Sequence, residues 1–230
     1  MYSKETMVHY GARLRTLCER CERAPLESLH ACISTGNRKI GRALNVSLAP
    51  IATCANCAGC SRLCYDIKAC LAYPSAFAAR ARNTVLLRRD RARFFQEIET
   101  RIQRRRGPRL FRWHVAGDIV DIDYFARMVE IARRHPDFRF WTYTKNYPVV
   151  NQYVRERGGT RRRAIPANLS VMFSEWRGMP MLNPFRFPEF RVVFKGEKPP
   201  RGHYCPGNCE LCTAAGRGCP FGETTYCHEH

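Results

Sequence analysis

Eleven consecutive residues constrain this chain more than any others: Cys54-Ala-Asn-Cys57-Ala-Gly-Cys60-Ser-Arg-Leu-Cys64. The C-x2-C-x2-C-x3-C spacing is that of bacterial iron–sulfur loops, in which closely placed thiolates wrap a compact cluster. Small residues between the sulfurs let the backbone turn tightly. Tyr65 stands where a proline usually follows the fourth cysteine. In two-cluster proteins the fourth cysteine serves the other cluster, so spacing alone leaves open which thiolates share a metal. A structural zinc loop is the alternative.

The other cysteines extend the pattern. The chain of 230 residues carries 13 of them, an odd number at short spacings, which suits metal centres in a reducing setting better than a disulfide framework. Cys205-Pro-Gly-Asn-Cys209-Glu-Leu-Cys212 is followed by Cys219 and Cys227. This reads as a structural cluster or a zinc knuckle, completed by Cys219, Cys227 or one of His203, His228 and His230. The expected metal ligands are Cys54, Cys57, Cys60 and Cys64 in the first loop and Cys205, Cys209, Cys212 and Cys219 in the second. Cys18-x-x-Cys21 is half of a zinc site or a chance helical spacing. Cys70 reads as a small buried hydrophobe.

Between the cysteine groups, strand and helix patterns alternate. Residues 43–49 read as a strand stopped by Pro50, 75–105 as a long helix ended by Gly107-Pro108, and 110–116 as a strand closed by Gly117-Asp118. Residues 121–134 form an amphipathic helix, 138–143 a strand, 148–157 a short helix, and 169–173 and 191–194 two more strands. Arg161–Arg163 falls in a loop. Such alternation predicts parallel βαβ units with right-handed crossovers. The expected fold is α/β: a partial (β/α) barrel of mostly parallel strands with a cysteine-rich C-terminal segment. It divides into a helical extension (1–36), an α/β domain carrying the 54–64 loop (37–202) and a metal-binding tail (203–230).

In parallel α/β architectures ligands sit at the carboxyl ends of the strands. The cysteine loop, Gly117-Asp118, Thr144-Lys145 and Ser174-Glu175 all follow predicted strands and should converge on one rim. Asp118 and Lys145 are the candidate catalytic residues. Gly117, Asp118 and Ser174 are the candidate cofactor-binding residues. Against this, Asp118 could be a turn or N-cap acid and Lys145 a solvated lysine. His114, inside a strand, reads as a satisfied core histidine.

Several short motifs occur together: Asn37-Arg38-Lys39-Ile40-Gly41, Cys64-Tyr65, His114 to Asp118, Tyr143-Thr144-Lys145, Pro166 to Leu169 with Ser174, and the Cys205–Cys212 group. In this order the chain resembles, over residues 37–230, the gene product 88 family of bacteriophages and mobile elements. It is more distantly similar to radical S-adenosylmethionine enzymes. Those place a cysteine loop after the first strand, then a helix, then a second strand ending in a Gly-Gly-Glu-like motif. Here Gly117-Asp118 stands in that place, and the C-x3-C-x2-C spacing usual in that superfamily occurs in the tail instead. The likeness implies S-adenosylmethionine as a ligand near Gly117, Asp118 and Ser174.

The formal net charge is +19, from 39 Lys+Arg against 20 Asp+Glu. A polyanion is the natural partner for such an excess, because binding releases condensed counterions. Twelve arginines lie within 80–112, and Arg155, Arg157 and Arg161–Arg163 add a second patch. No groove-reading motif accompanies them, so nucleic-acid binding without sequence specificity is expected. No apolar run approaches the roughly 18 residues that span a bilayer, and the N-terminus lacks a signal-peptide layout, so no membrane association and a cytoplasmic location are expected.

Two functions follow. One is an iron–sulfur protein with one or two [4Fe-4S] clusters, acting as a radical S-adenosylmethionine-like redox enzyme on a nucleic acid or nucleotide. The other is a non-enzymatic nucleic-acid-binding protein whose iron–sulfur or zinc sites are structural.

Overall fold

The computed structural model describes residues 1–55, 57 and 60–228. His230, one of the histidines considered for the C-terminal site, lies outside the described residues. Helix α1 (Lys4–Arg23) starts at Ser3, whose hydroxyl accepts the Thr6 amide. Its Tyr10 ring stacks on Phe77 at 5.1 Å between centroids and donates its hydroxyl to the Pro50 carbonyl. Strand β1 (Ile33–Ser34) then pairs antiparallel with β2 (Leu44–Val46). Residues 1–36 therefore pack on the α/β body through both an aromatic contact and an edge strand.

Helices α2 (Tyr65–Ala72), α3 (Pro74–Arg89) and α4 (Arg91–Gln103) lead to β3 (Leu110–Trp113). The single helix expected over 75–105 is thus two. Asp90 interrupts it with an extended backbone, and its carboxylate accepts the Arg93 amide at 2.9 Å as the N-cap of α4. Strand β3 ends early because His114 takes a left-handed conformation, φ 54°. Helix α5 (Ile122–Arg134), capped by Asp121, leads to β4 (Arg139–Thr144). Helix α6 (Tyr147–Glu156) and the one-turn α7 (Arg161–Ala164) lead to β5 (Leu169–Ser174). The arginine run expected in a loop therefore forms α7. Strand β6 (Glu189–Val193), β7 (His203–Tyr204), α8 (Cys209–Ala214) and β8 (Thr225–His228) complete the chain. Among the described residues no helix is long and apolar enough to cross a membrane.

All eight strands form one sheet in the order β1-β2-β3-β4-β5-β6-β8-β7. Every pairing except β1–β2 is parallel. β1 and β7 are free edges, so the sheet is open, and the expected partial barrel comes down to a mostly parallel α/β sheet. The tail is not a separate knuckle, because β7 and β8 extend that sheet beside β6.

From β2 to β5 the strands are laid down in sequence order, each beside the last. Right-handed crossovers that always step the same way put their helices on one face. The packing agrees. Leu44, Val46, Phe111, Trp113, Phe140, Leu169, Val171 and Phe173 alternate along the strands and share one core with the apolar stripes of α3 to α6. The opposite face carries Trp141 and Met172, covered by Cys219 with Phe190 and Cys209 beside it. The C-terminal segment is therefore the lid of the second face.

Candidate metal centre

Strand β2 runs out into the cysteine loop, and its neighbour β3 runs out into Gly117-Asp118. The two stay zipped together past their ends: the His114 amide donates to Val46 and the Leu48 amide to Ala116, both at 3.0 Å. Gly117 makes the close approach feasible. Its φ is +81°, and a Cβ there would lie 2.7 Å from Leu48 Cβ and 2.8 Å from Thr53 Oγ1. The chain terminus clasps the far side of the loop. The Tyr2 amide donates to the Arg62 carbonyl at 2.8 Å and its hydroxyl to the Cys64 carbonyl at 3.1 Å.

Within the loop, the Cys57 carbonyl accepts the Cys60 and Ser61 amides at 3.3 and 2.9 Å, and the thiols of Cys54 and Cys60 act on that of Cys57. Those contacts push Cys57 up. They pull Cys60 down to about 6, helped by the ammonium of Lys145 and opposed by burial. Burial pushes the Cys64 thiol up to about 11. Every cysteine of the chain is a free thiol.

The rim residues expected from the strand ends do meet. The Lys145 amide donates to Asp118 Oδ2 at 2.9 Å, and the Ile119 amide to Oδ1 at 2.7 Å. Burial raises the Asp118 carboxyl, against its hydrogen bonds from Thr144 and these two amides. Asp118 is thus a buried brace between two rim loops; the N-cap of α5 is Asp121. Lys145 Nζ donates to Ser174 Oγ at 3.1 Å and stands 5.6 Å from the Trp176 ring centre. Cys60 feels both Lys145 and Asp118. His114 is 3% exposed and faces the helices instead: Nδ1 pairs with Thr142 Oγ1 at 3.1 Å and Nε2 with the Tyr124 hydroxyl at 2.9 Å.

The second cysteine group occupies the opposite face of the sheet. The Cys205 amide donates to Tyr226, and the Cys209 amide to Lys39 at 2.9 Å, fastening α8 to the turn before β2. Cys212 Sγ lies 3.4 Å from His203 Nε2. Cys219 is buried against Trp141 and Met172. Beneath them lies Arg112, 8% exposed, its guanidinium 4.7 Å from the Tyr143 ring centre and close enough to Cys209 and Cys219 for their charges to act on it. Sequence reasoning missed Arg112 as a site residue. The available signal was one cation inside the otherwise apolar strand Leu110-Phe111-Arg112-Trp113.

Elsewhere, Cys70 is fully buried, with its sulfur 3.5 Å from Asp66 Oδ2. Cys18 and Cys21 pack half-buried against the core, and Cys32 lies 3.9 Å from Arg82. Among the described residues no group of three or more Cys, His, Asp or Glu side chains meets the spacing of a single bound ion.

Across residues 26–224 the sequence matches the family profile described as Gene product 88. The chain belongs to the Gene product 88 family, a family of phage gene products. No curated protein and no solved structure matches it. The Gene product 88 match spans both cysteine groups up to Cys219 and every rim residue named above.

Proposed function

We propose that this Gene product 88 protein is an iron–sulfur protein whose cluster is held by Cys54, Cys57, Cys60 and Cys64 at the carboxyl rim of the sheet. One observation carries the reading: the four-cysteine loop leaves the end of β2 and turns tightly at Cys57, whose carbonyl accepts the Cys60 and Ser61 amides, while the charge of Lys145 favours the Cys60 thiolate. The donor set fits the group. Soft thiolates suit iron–sulfur clusters, and these four lie within one short loop, half-buried and outside any disulfide. Such a cluster supplies one-electron transfer when bound. The chain's own residues add a polar wall beside it, in which Asp118 fixes the Lys145 backbone and Ser174 receives the ammonium.

The radical S-adenosylmethionine-like form of this reading is supported by element order: cysteine loop, helices, then strand β3, which runs out into the Gly117-Asp118 loop. The committed state of the Asp118 carboxylate counts against its being the ligand for a substrate amine. Anaerobic purification with measurement of iron, acid-labile sulfide and zinc tests the cluster. Iron and sulfide at about four each per cluster are expected, with loss of both on Cys57→Ser. Stoichiometric zinc without sulfide, in cells given ample iron, would refute it. Reductive cleavage of S-adenosylmethionine by cluster-loaded protein tests the radical form, and its absence removes that form alone.

A second reading, nucleic-acid binding, is favoured by the clefts at the opposite rim. One of ≈ 490 Å³ is lined by Arg161, Arg186 and Arg191 with Asn183, and its neighbour of ≈ 410 Å³ adds Arg162. Arg191 is paired with Glu175 and Glu189, which leaves Arg161, Arg162 and Arg186 as the cations for phosphate. Retardation of labelled single- or double-stranded DNA that weakens steeply with salt is expected. Failure to bind either at low salt would refute it.

A further inference from the structure

Arg112 poses an electrostatic problem that the first cysteine loop does not solve. Its Nε is buried without a hydrogen-bond partner. The groups that favour its charge are Tyr143, Tyr65, Cys209 and Cys219, none of them a carboxylate. A buried cation without a counter-charge is costly, and a cation–π contact recovers only part of that cost. Thiolates at Cys209 and Cys219 are among the neighbouring groups that can supply the negative charge.

We infer that His203, Cys205, Cys209 and Cys212 form a second metal centre, for one zinc-class divalent ion, with Arg112 as its counter-ion. A divalent ion held by three thiolates and a neutral imidazole carries one net negative charge, which Arg112 balances. Binding releases the three thiol protons to solvent, and no electron moves.

Geometry selects the ligands. Zn–S of about 2.3 Å and Zn–N of about 2.0–2.1 Å set a tetrahedral S···N edge of about 3.6 Å. The observed 3.4 Å between Cys212 Sγ and His203 Nε2 matches that edge. Gly218 keeps this place clear: with φ +76°, a Cβ there would lie 2.7 Å from His203 Nε2 and 3.1 Å from Cys212 Sγ. Cys205 and Cys209 complete the set by their spacing in the sequence; the four side chains are not gathered around one point, and ion binding would have to draw Cys205 and Cys209 in. Cys219, a ligand in the sequence reading, is replaced here by His203, because its side chain is buried against Trp141 and Met172. The centre would pin β7 and α8 across the sheet face that the helices leave open.

The test is zinc binding to the full-length reduced chain, followed by competition with a chromophoric chelator. Cys209→Ser and Cys212→Ser should each lose one zinc equivalent relative to the unsubstituted chain, and Cys219→Ser should lose none. Arg112→Met should weaken that equivalent at least tenfold, and Arg112→Lys should restore it. Should the cysteine variants fail to fold, nitrogen-15 histidine spectra of the unsubstituted chain decide. Zinc must shift one imidazole resonance that His203→Asn lacks. Unchanged zinc binding in Cys212→Ser, an equal loss in Cys219→Ser, or no shifted imidazole would overturn the inference. The Cys54–Cys64 loop is untouched in every variant, so its iron content reports separately on the first centre.

Discussion

His114 gives a pH dependence that can be worked out in advance. Its imidazole is buried between Thr142 and Tyr124, and burial, with the positive charge of Arg112, pulls its pKa down to about 3. In the unfolded chain the value is about 6.5. Between these values the unfolded state takes up a proton that the native state refuses. Stability is therefore complete above about pH 6.5 and is lost as pH falls. From pH 8 to pH 5 the loss from this one group is about 2 kcal/mol. The clean comparison is His114→Asn, because asparagine tolerates the left-handed backbone at φ 54° and does not titrate. Urea unfolding of both proteins at pH 8 and pH 5 gives two pH differences. The parent should lose about 2 kcal/mol more than the variant. Any other group that titrates alike in both proteins cancels in this comparison. Glu97, Glu99 and Asp121, whose carboxyls their partners hold below the usual range, titrate in both proteins and below this window. Equal pH dependence in the two proteins would show that His114 is charged or solvated in the native state.

Other outcomes follow from single contacts. Gly117→Ala should cost about 1 kcal/mol for the left-handed backbone and about 1–3 kcal/mol for the crowding against Leu48 and Thr53, read as a shift in urea midpoint; a change under about 0.5 kcal/mol would mean the rim loops are not packed as described. Arg80→Met leaves Asp66, 2% exposed, without the guanidinium that donates to it at 2.6 Å, and should cost about 3–5 kcal/mol at pH 7. Burial already raises the Asp66 carboxyl. The deficit should therefore shrink as pH falls and Asp66 protonates, and adding Asp66→Asn should recover most of it; a pH-independent deficit would locate the damage elsewhere. Truncation after Gly202 uncovers Trp141 and Met172, worth about 1.5–3 kcal/mol each. The truncated chain should bind a hydrophobic dye and lose its near-ultraviolet dichroism, and a cooperative, dye-free product would contradict the lid role of the tail.

The sequence made the rim legible because strands and helices declare themselves by period. Tyr124, Phe125, Met128, Val129 and Ile131 mark α5, and the strand ends that follow from such elements place Cys60, Asp118, Lys145 and Ser174 together. What stayed hidden depends on partners far away in sequence. The twelve arginines of 80–112 read as one basic face, yet Arg80, Arg91, Arg93 and Arg109 are ion-paired. Arg89 and Arg105 donate to backbone carbonyls, and Arg112 is buried. Asn168 looked like part of a motif without a role. Its amide nitrogen lies 2.8, 2.9 and 3.0 Å from the carbonyls of Ala132, His135 and Phe138, tying the end of α5 to the start of β5. The two-residue β7 and four-residue β8 are too short for any period to announce.

The arrangement of the two cysteine groups follows from the winding of the sheet. A parallel sheet must bury both faces. Here strands added in sequence order with right-handed crossovers place α3 to α6 on one face only, and Trp141, Met172 and Arg112 look out from the other. A further helical layer would require the strand order to reverse, which it does not do between β2 and β6. The second face falls to the last 28 residues, 203–230, a segment too short to bury a large apolar core of its own. Such a short cover would gain from a cross-link, and none of its cysteines is in a disulfide, which is the setting in which the second metal centre inferred above would act. The same winding leaves the carboxyl rim clear for the first loop. One cysteine group is thereby placed at the carboxyl rim, and the other where the fold lacks a layer.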